Sequence, residues 1–212
     1  MTARRPVRAP LAGRFVRLEP FEPAHLDGLH EALARPEVFA GGYGGGPAGL
    51  PRTRRAFDAW VAAYGVAENA IKLVVRLVGG SNDGRIVGAS TLGDLDEDAE
   101  SVHIGWTAYD PRVWASAVNP ETKLLMLGLA FDHGYGRVKL QSDDANARSR
   151  AAILRLGATL EGVLRRDRRR ADGSHGGTAV YSILRDEWPA VRACLEARLA
   201  ARVGPVELRE SA

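Results

Sequence analysis

Residues 101–143 read SVHIGWTAYDPRVWASAVNPETKLLMLGLAFDHGYGRVKLQSD, and the apolar spacing changes twice along them. SVHIGWTAY (101–109) predicts a strand. NPETKLLMLGLAFDHG (119–134) predicts a helix, with Asn119 as N-cap, Pro120 at the first helical position and Glu121 in the first turn. RVKLQSD (137–143) predicts a buried strand. Two strands joined by a helical crossover lie parallel in one sheet. This single parallel step decides the fold, because the segments on either side read as antiparallel.

Upstream, RFVRLEP (14–20) alternates as a strand, and Pro23 opens a helix with Leu26, Leu29 and Leu33 at helical spacing. GGYGGGPAG (41–49) reads as loop. A helix after Pro51 carries Phe57, Trp60, Val61 and Tyr64 on one face. IKLVVRLV (71–78) and RIVGASTL (85–92) form antiparallel strands around GGSNDG (79–84), and the acidic DLDEDAE (94–100) forms a turn or bulge. Downstream, NARSRAAILRLGA (146–158) predicts a helix closed by Gly157. TLEGVLRRDRRR (159–170) and TAVYSIL (178–184) predict a long hairpin. DEWPAVRACLEARLAARV (186–203) predicts an amphipathic helix with Asp186 as N-cap. The order β-α-α-β-β-β-α-β-α-β-β-α predicts an α+β or mixed α/β sheet with helices on both faces. One domain is expected over residues 11–203, with 1–10 and 204–212 as flexible tails.

Composition narrows the function. The chain has 212 residues, 45% hydrophobic and 26% charged, with a formal net charge of +3. That balance suits a globular domain with a real core. The single cysteine, Cys194, excludes an internal disulfide and a cysteine-rich metal site, and is expected as a small buried hydrophobe. The five histidines show no zinc spacing, so no metal is expected. No apolar run approaches the roughly 18 residues of a membrane span. The N-terminus lacks the apolar region of a secretory signal, so a cytoplasmic location is expected. The arginine cluster LRRDRRRADG (164–173) reads as a solvated strand and turn more readily than as a nucleic-acid site. A nucleic-acid partner is therefore not expected.

No stock phosphate, zinc or serine-nucleophile motif is present. GGYGGGPAG joins two helices, so no strand aims its amides at a phosphate. It reads as a substrate-entry loop beside a cleft, or as plain surface. RVWASAV (112–118) sits instead between a strand end and a helix start, where free N–H groups and the helix dipole favour an anion. Ala115, Ser116 and Ala117 allow close approach, Arg112 and Lys123 bring charge, and Asn119 caps the helix or touches the ligand. Spacing alone favours an ordinary capped turn over an anion site.

Three stretches carry a resemblance: LAGRFVRLEPFEPAHLDGLHEA (11–32), the run from IGWTAYDP to LEGVLRR (104–166), and VYSILRDEWPAVRACLEARL (180–199). On them the chain resembles the GNAT acetyltransferase superfamily, in the subgroup similar to ribosomal-protein N-terminal alanine acetyltransferases. The resemblance implies a central twisted, mostly antiparallel sheet whose parallel strands, 100–108 and 137–142, splay apart. It implies acetyl-CoA as cosubstrate, its pantetheine arm inserted between those strands along Ile104, Gly105, Trp106 and Thr107. The family's pyrophosphate loop, Gln/Arg-x-x-Gly-x-Gly/Ala, is matched by Arg112-Val113-Trp114-Ala115-Ser116-Ala117, with Ala115 in place of the first Gly. Alanine there costs little unless the backbone is left-handed.

By the same resemblance Asn146 contacts the pantetheine arm, with Arg148 beside it, and Ser149 matches a hydroxyl placed near the thiolate. His103 stands where many relatives carry Glu, so it is a departure and the candidate general base. Glu100 or Asp98 is the alternative, and a histidine that merely shapes the pocket is a third reading. Trp106 and Trp114 line a channel or pack the core, and Trp188 anchors the last helix. The implied function is direct N-acetyl transfer to a primary amine, either a peptide or protein N-terminus or a small molecule. The acidic DLDEDAE would suit a cationic acceptor. Family members often form homodimers. An acyl-CoA-binding regulator or sensor, or an RNA- or ribosome-associated module, is the alternative.

Overall fold

The computed structural model describes residues 2–65 and 69–210. Eight strands, β1 (Leu11–Ala12), β2 (Val16–Pro20), β3 (Ile71–Leu77), β4 (Ile86–Asp96), β5 (Ser101–Tyr109), β6 (Arg137–Asp143), β7 (Thr159–Arg169) and β8 (His175–Leu184), form one sheet in the order β1-β2-β3-β4-β5-β6-β8-β7. Six α-helices accompany them: α1 (Leu26–Leu33), α2 (Pro36–Phe39), α3 (Arg54–Ala63), α4 (Val118–Asp132), α5 (Ala147–Leu154) and α6 (Trp188–Ala200). Strand β1 and helix α2 are too short to leave a periodic signal. The glycine-rich 41–49 holds two single 3-10 turns rather than plain loop.

Strand alternation separates two cores. Leu73, Val75 and Leu77 of β3 face one way and pack with Met126, Leu127 and Ala130 of α4 and Leu195 and Leu199 of α6. Val74, between them, faces the other way and packs with Leu29 and Leu33 of α1 and Phe57 and Val61 of α3. Helices thus cover both faces, and period-2 alternation in each strand supplies both with apolar residues. Trp188 stacks on Phe131 with ring centroids 5.3 Å apart, anchoring α6 to α4.

The one parallel pair is β5 with β6, joined through α4. Their ladder holds only Ser101↔Arg137, Val102↔Val138 and His103↔Lys139, and then stops. Strand β6 continues to pair with β8 as far as Asp143↔Thr178, and β5 with β4 as far as Tyr109. The two strands therefore splay after His103 and leave a wedge whose facing backbone edges have no ladder partner. Two bulges shape β4 and β5 here. The register jumps between Thr91↔Gly105 and Ala89↔Ala108, with Trp106 at φ +48°, and between Gly93↔His103 and Asp96↔Ser101, with Asp94 at φ +49°. Each adds one residue to one strand and re-aims the side chains beside it.

Several boundaries differ from the sequence reading. Helix α4 starts at Val118, with Ala117 as N-cap, so Asn119 and Pro120 lie inside its first turn. The Ser116 hydroxyl does the capping instead: it accepts from Val118 N at 3.2 Å and donates to Val113 O at 2.6 Å. Proline is tolerated there because first-turn nitrogens need no helical acceptor. Glu187, not Asp186, is the N-cap of α6. Cys194 is exposed, on the outer side of α6. The segments read as tails lie against the domain: Ala3 and Val206 are buried, Arg4 N donates to His133 O, and Glu207 accepts from Ser81 and Asn82. Met1, Ser211 and Ala212 of those segments lie outside the described residues. Among the described residues no helix is long and apolar enough to cross a membrane, and no group of His, Cys, Asp and Glu could hold a metal ion.

Candidate active site

A cleft opens beside the wedge, lined by Gly41, Tyr43, Tyr64, His103, Trp106 and Thr107 on one side and Gln141, Ser142, Asp143, Ser149 and Arg168 on the other. The fold therefore brings His103 and Ser149 to one cavity. His103 lies on β5, on the face opposite Ile104, whose side chain is sealed in the α4 core. Its imidazole folds back over Gly105, where a Cβ would lie 2.5 Å from the ring. Only glycine leaves that space. The Trp106 ring stands 4.8 Å from the imidazole.

His103 is 1% exposed. Its Nδ1 is 3.2 Å from Asp94 Oδ2, an ion-pair distance without hydrogen-bond alignment, and neither ring nitrogen has an aligned partner. The same Asp94 oxygen accepts from Lys139 Nζ at 2.9 Å. Burial, then the Lys139 charge, pull the imidazole down to about 4 against the opposing pull of Asp94. Burial pushes the Asp94 carboxyl up, but its bond and ion pair with Lys139 outweigh this and hold it below its ordinary value. The ring is thus neutral at physiological pH, with a free nitrogen in a cleft. Glu100, the expected alternative, sits at the closed end of the wedge. Its carboxylate meets Arg185 at 3.3 Å and its carbonyl accepts from Gly136 and Arg137. Neither Glu100 nor Asp98 lines the cleft.

The loop between β5 and α4 leaves part of its backbone unpaired and spends its side chains internally. Among the described residues no acceptor takes the N–H groups of Ala115, Ala117 or Asn119. Val113 and Ala117 are buried in the core. Arg112 folds onto buried Asp110, with Nε at 3.0 Å and Nη2 at 2.6 Å, so its charge is already neutralised. Lys123 turns inward and donates to Ser90 Oγ at 3.0 Å and Thr107 Oγ1 at 2.7 Å. Burial pulls its amine down to about 7. Neither cation projects from the loop as the sequence reading expected, because each finds a buried partner first. Ala115 has φ +59°, the left-handed angle that makes alanine costly.

Asn146 caps α5, its Oδ1 accepting from Ser149 N at 3.0 Å, and its amide nitrogen donates to Gly41 O. Both polar atoms are engaged, and the bond ties the glycine-rich loop to the cleft. A Cβ on Gly41 would meet that amide at 2.5 Å. Arg148 lays its guanidinium 3.4 Å over the Trp114 ring, and the Trp114 indole donates to Tyr109 O at 3.0 Å. This contact joins the loops that leave β5 and β6. Sequence reasoning missed Asp94, Tyr43, Tyr64, Asp143 and Arg168. Tyr43 lay in the glycine-rich stretch read as a substrate-entry loop, Arg168 in the arginine cluster and Asp94 in a stretch read as acidic, whereas Tyr64 and Asp143 carried no such signal.

An extended arm could use the unpaired strand edges, an anion the free amides, and a reacting group the neutral imidazole. The acetyltransferase (GNAT) domain family matches residues 16–159. A GCN5-related N-acetyltransferase structure from Brucella melitensis aligns with TM-score 0.84 and 27% identity, over 94% of this chain and 89% of that one. A protein of T. thermophilus classed as an acetyltransferase aligns with TM-score 0.77 and 33% identity, over 90% and 96%. At the level of fold alone, the microcin C7 self-immunity acetyltransferase, solved with acetyl-CoA and AMP, aligns with TM-score 0.68 and 17% identity, over 81% and 93%. No curated protein matches the chain in sequence.

Proposed function

Because the chain belongs to the GNAT acetyltransferase family, whose members use acetyl-CoA, we propose that it transfers the acetyl group directly to a primary amine, with His103 as the proton acceptor. The observation that carries this reading is the buried, neutral His103, with a free ring nitrogen, in the cleft beside the splayed strands. The site suits a CoA thioester on its own terms. The wedge offers unpaired backbone to a pantetheine arm, as an edge strand does to an added strand. The free amides of Ala115, Ala117 and Asn119 at the start of α4 suit a pyrophosphate.

His103 takes the proton that the attacking ammonium gives up, and Asp94 faces the imidazolium so formed. Strand N–H groups from Ile104 to Trp106 stabilise the oxyanion that develops on the thioester carbonyl. Ser149 donates toward the departing thiolate. No covalent enzyme intermediate is required, and the exposed Cys194 lies outside the cleft. The resemblance to ribosomal-protein N-terminal alanine acetyltransferases motivates a peptide N-terminus as one acceptor class.

The test is release of CoA thiol from acetyl-CoA with panels of amines and peptides, followed by mass spectrometry of the products. His103→Gln should lower kcat/KM about 10²- to 10⁴-fold, the usual worth of a general base, and leave acetyl-CoA affinity within about twofold. Acetyl-CoA binding with no thiol release for any amine would leave the chain as an acyl-CoA-binding regulator.

A further inference from the structure

A second cavity, of about 410 Å³, opens on the β7–β8 hairpin and is lined by Arg165, Arg166, Arg170, His175 and Asp144 over a floor of Gly176 and Gly177. It exists because β7 buckles. Between Leu164↔Thr178 and Arg168↔Gly176, three residues of β7 oppose one of β8. Arg166 takes φ +56° inside this bulge. A left-handed backbone is strained for arginine, and such strain gathers at ligand sites.

The charges in the cavity are unbalanced. Among the described residues no carboxylate lies within ion-pair distance of Arg165, Arg166 or Arg168. The acids nearby are engaged. Asp143 accepts both Nε and Nη2 of Arg170, at 3.1 and 2.9 Å. Asp144 accepts from Gly177 N at 3.1 Å and lies 3.9 Å from Arg170.

The cavity also adjoins the acetyl-transfer cleft. Asp143 and Arg168 line the cleft, Arg170 lines the cavity, and the Asp143–Arg170 pair forms their common wall. Gly45 O accepts from Ala171 N at 2.9 Å, which docks the hairpin tip onto the glycine-rich loop that borders the cleft. No residue of the acidic stretch 94–100 lines the cleft, and Asp94 is paired with His103 and Lys139.

We propose that the acceptor is a primary amine carrying an anionic group, a carboxylate or phosphate, which meets Arg165 and Arg166 in the cavity they line with His175, while the amine reaches His103. The proposal rests on the N-acetyltransferase reading and supplies its substrate class. Guanidinium forks bind either anion through paired N–H donors, and the two chambers lie on either side of the Asp143–Arg170 pair.

The experiment is calorimetric titration of the full chain, saturated with CoA, using two matched pairs. One pair is phosphoethanolamine and ethanolamine. The other is a pentapeptide with Glu at positions 2 and 3 and the same peptide with Gln there. In at least one pair the anionic member should bind at least about tenfold more tightly, the worth of one charge-assisted hydrogen bond. The Arg165→Ser/Arg166→Ser double variant, altered only at exposed positions, should erase that difference and keep CoA affinity. Preference in the phosphate pair alone identifies a small phosphorylated amine, and in the peptide pair alone an acidic N-terminus. Equal binding within both pairs, or a preference that survives the double substitution, overturns the proposal. Discrimination that persists while acetyl-CoA yields no product with any of these amines sinks the transferase reading and leaves the anion site standing.

Discussion

Ala115 concentrates the backbone cost of the loop between β5 and α4 in one residue. Its φ of +59° is a glycine angle, and the alanine methyl gains no compensating burial because the residue is exposed. Ala115→Gly should stabilise the fold by about 0.5–1 kcal/mol in urea unfolding, the left-handed penalty less the added entropy of an unfolded glycine, with acetyl-CoA affinity preserved. Lys123 makes a pH prediction. Its folded value of about 7 lies below the unfolded 10.5, so between these pH values the unfolded chain holds more protons. Stability due to this group therefore rises with pH across that window. The stability of the wild type relative to Lys123→Met should increase from pH 7 to 10, by up to about 1.4 kcal/mol per unit. His103 titrates in the same sense, between its folded value of about 4 and its unfolded 6.5, so its contribution is lost as pH falls through that range. If it is the base, the acid limb of the activity profile in the enzyme–substrate complex should fall well below 6.5. The sequence marked His103, Asn146 and Ser149 as site residues, and it misdirected Arg112 and Lys123. A cation's type and position are visible in a sequence, whereas the buried group it will meet is not.

Among the elements, the start of α4 does more than face a ligand. Glu121 is buried and accepts from the backbone N–H groups of Arg14, Phe15 and Val16 at 2.9, 2.6 and 2.7 Å. It thereby holds the β1–β2 turn against the start of α4. Glu121→Ala leaves these donors without an acceptor and should cost about 3 kcal/mol or more in urea unfolding, while Glu121→Gln, which keeps one acceptor oxygen, should cost less. Element types were legible over almost the whole chain, because strand and helix periods are local properties. Ends were less so: α4 begins two residues earlier than its Asn-Pro signal, since Ser116 reached the free amide first. The bulges at Trp106 and Arg166 left no sequence mark, whereas the one at Asp94 falls in the acidic stretch read as a turn or bulge. They arise from the fit of one strand to its neighbour.

For the whole molecule, the decisive feature is a ladder that stops after three residue pairs. A ligand arm that completes the open edges binds only the folded chain, so acetyl-CoA at one hundred times its Kd should add about 2.7 kcal/mol. Thermal denaturation should then shift upward by roughly 5–10 °C for a chain of this size. No such shift would mean that the wedge does not hold the thioester.

By itself the sequence determined the order of elements, the single helical crossover that forces a parallel pair, and the family resemblance in the loop before α4. Those follow from hydrophobic period, proline and glycine placement and short motifs, each written within a dozen or so residues. Only the tertiary structure decided that Asp94 faces His103, that Arg112 and Lys123 turn away from the loop, and that the arginine bulge of β7 opens beside the cleft. These pairings join residues up to dozens of positions apart. Burial and charge select among competing partners there, and that competition exists only once the sheet has closed.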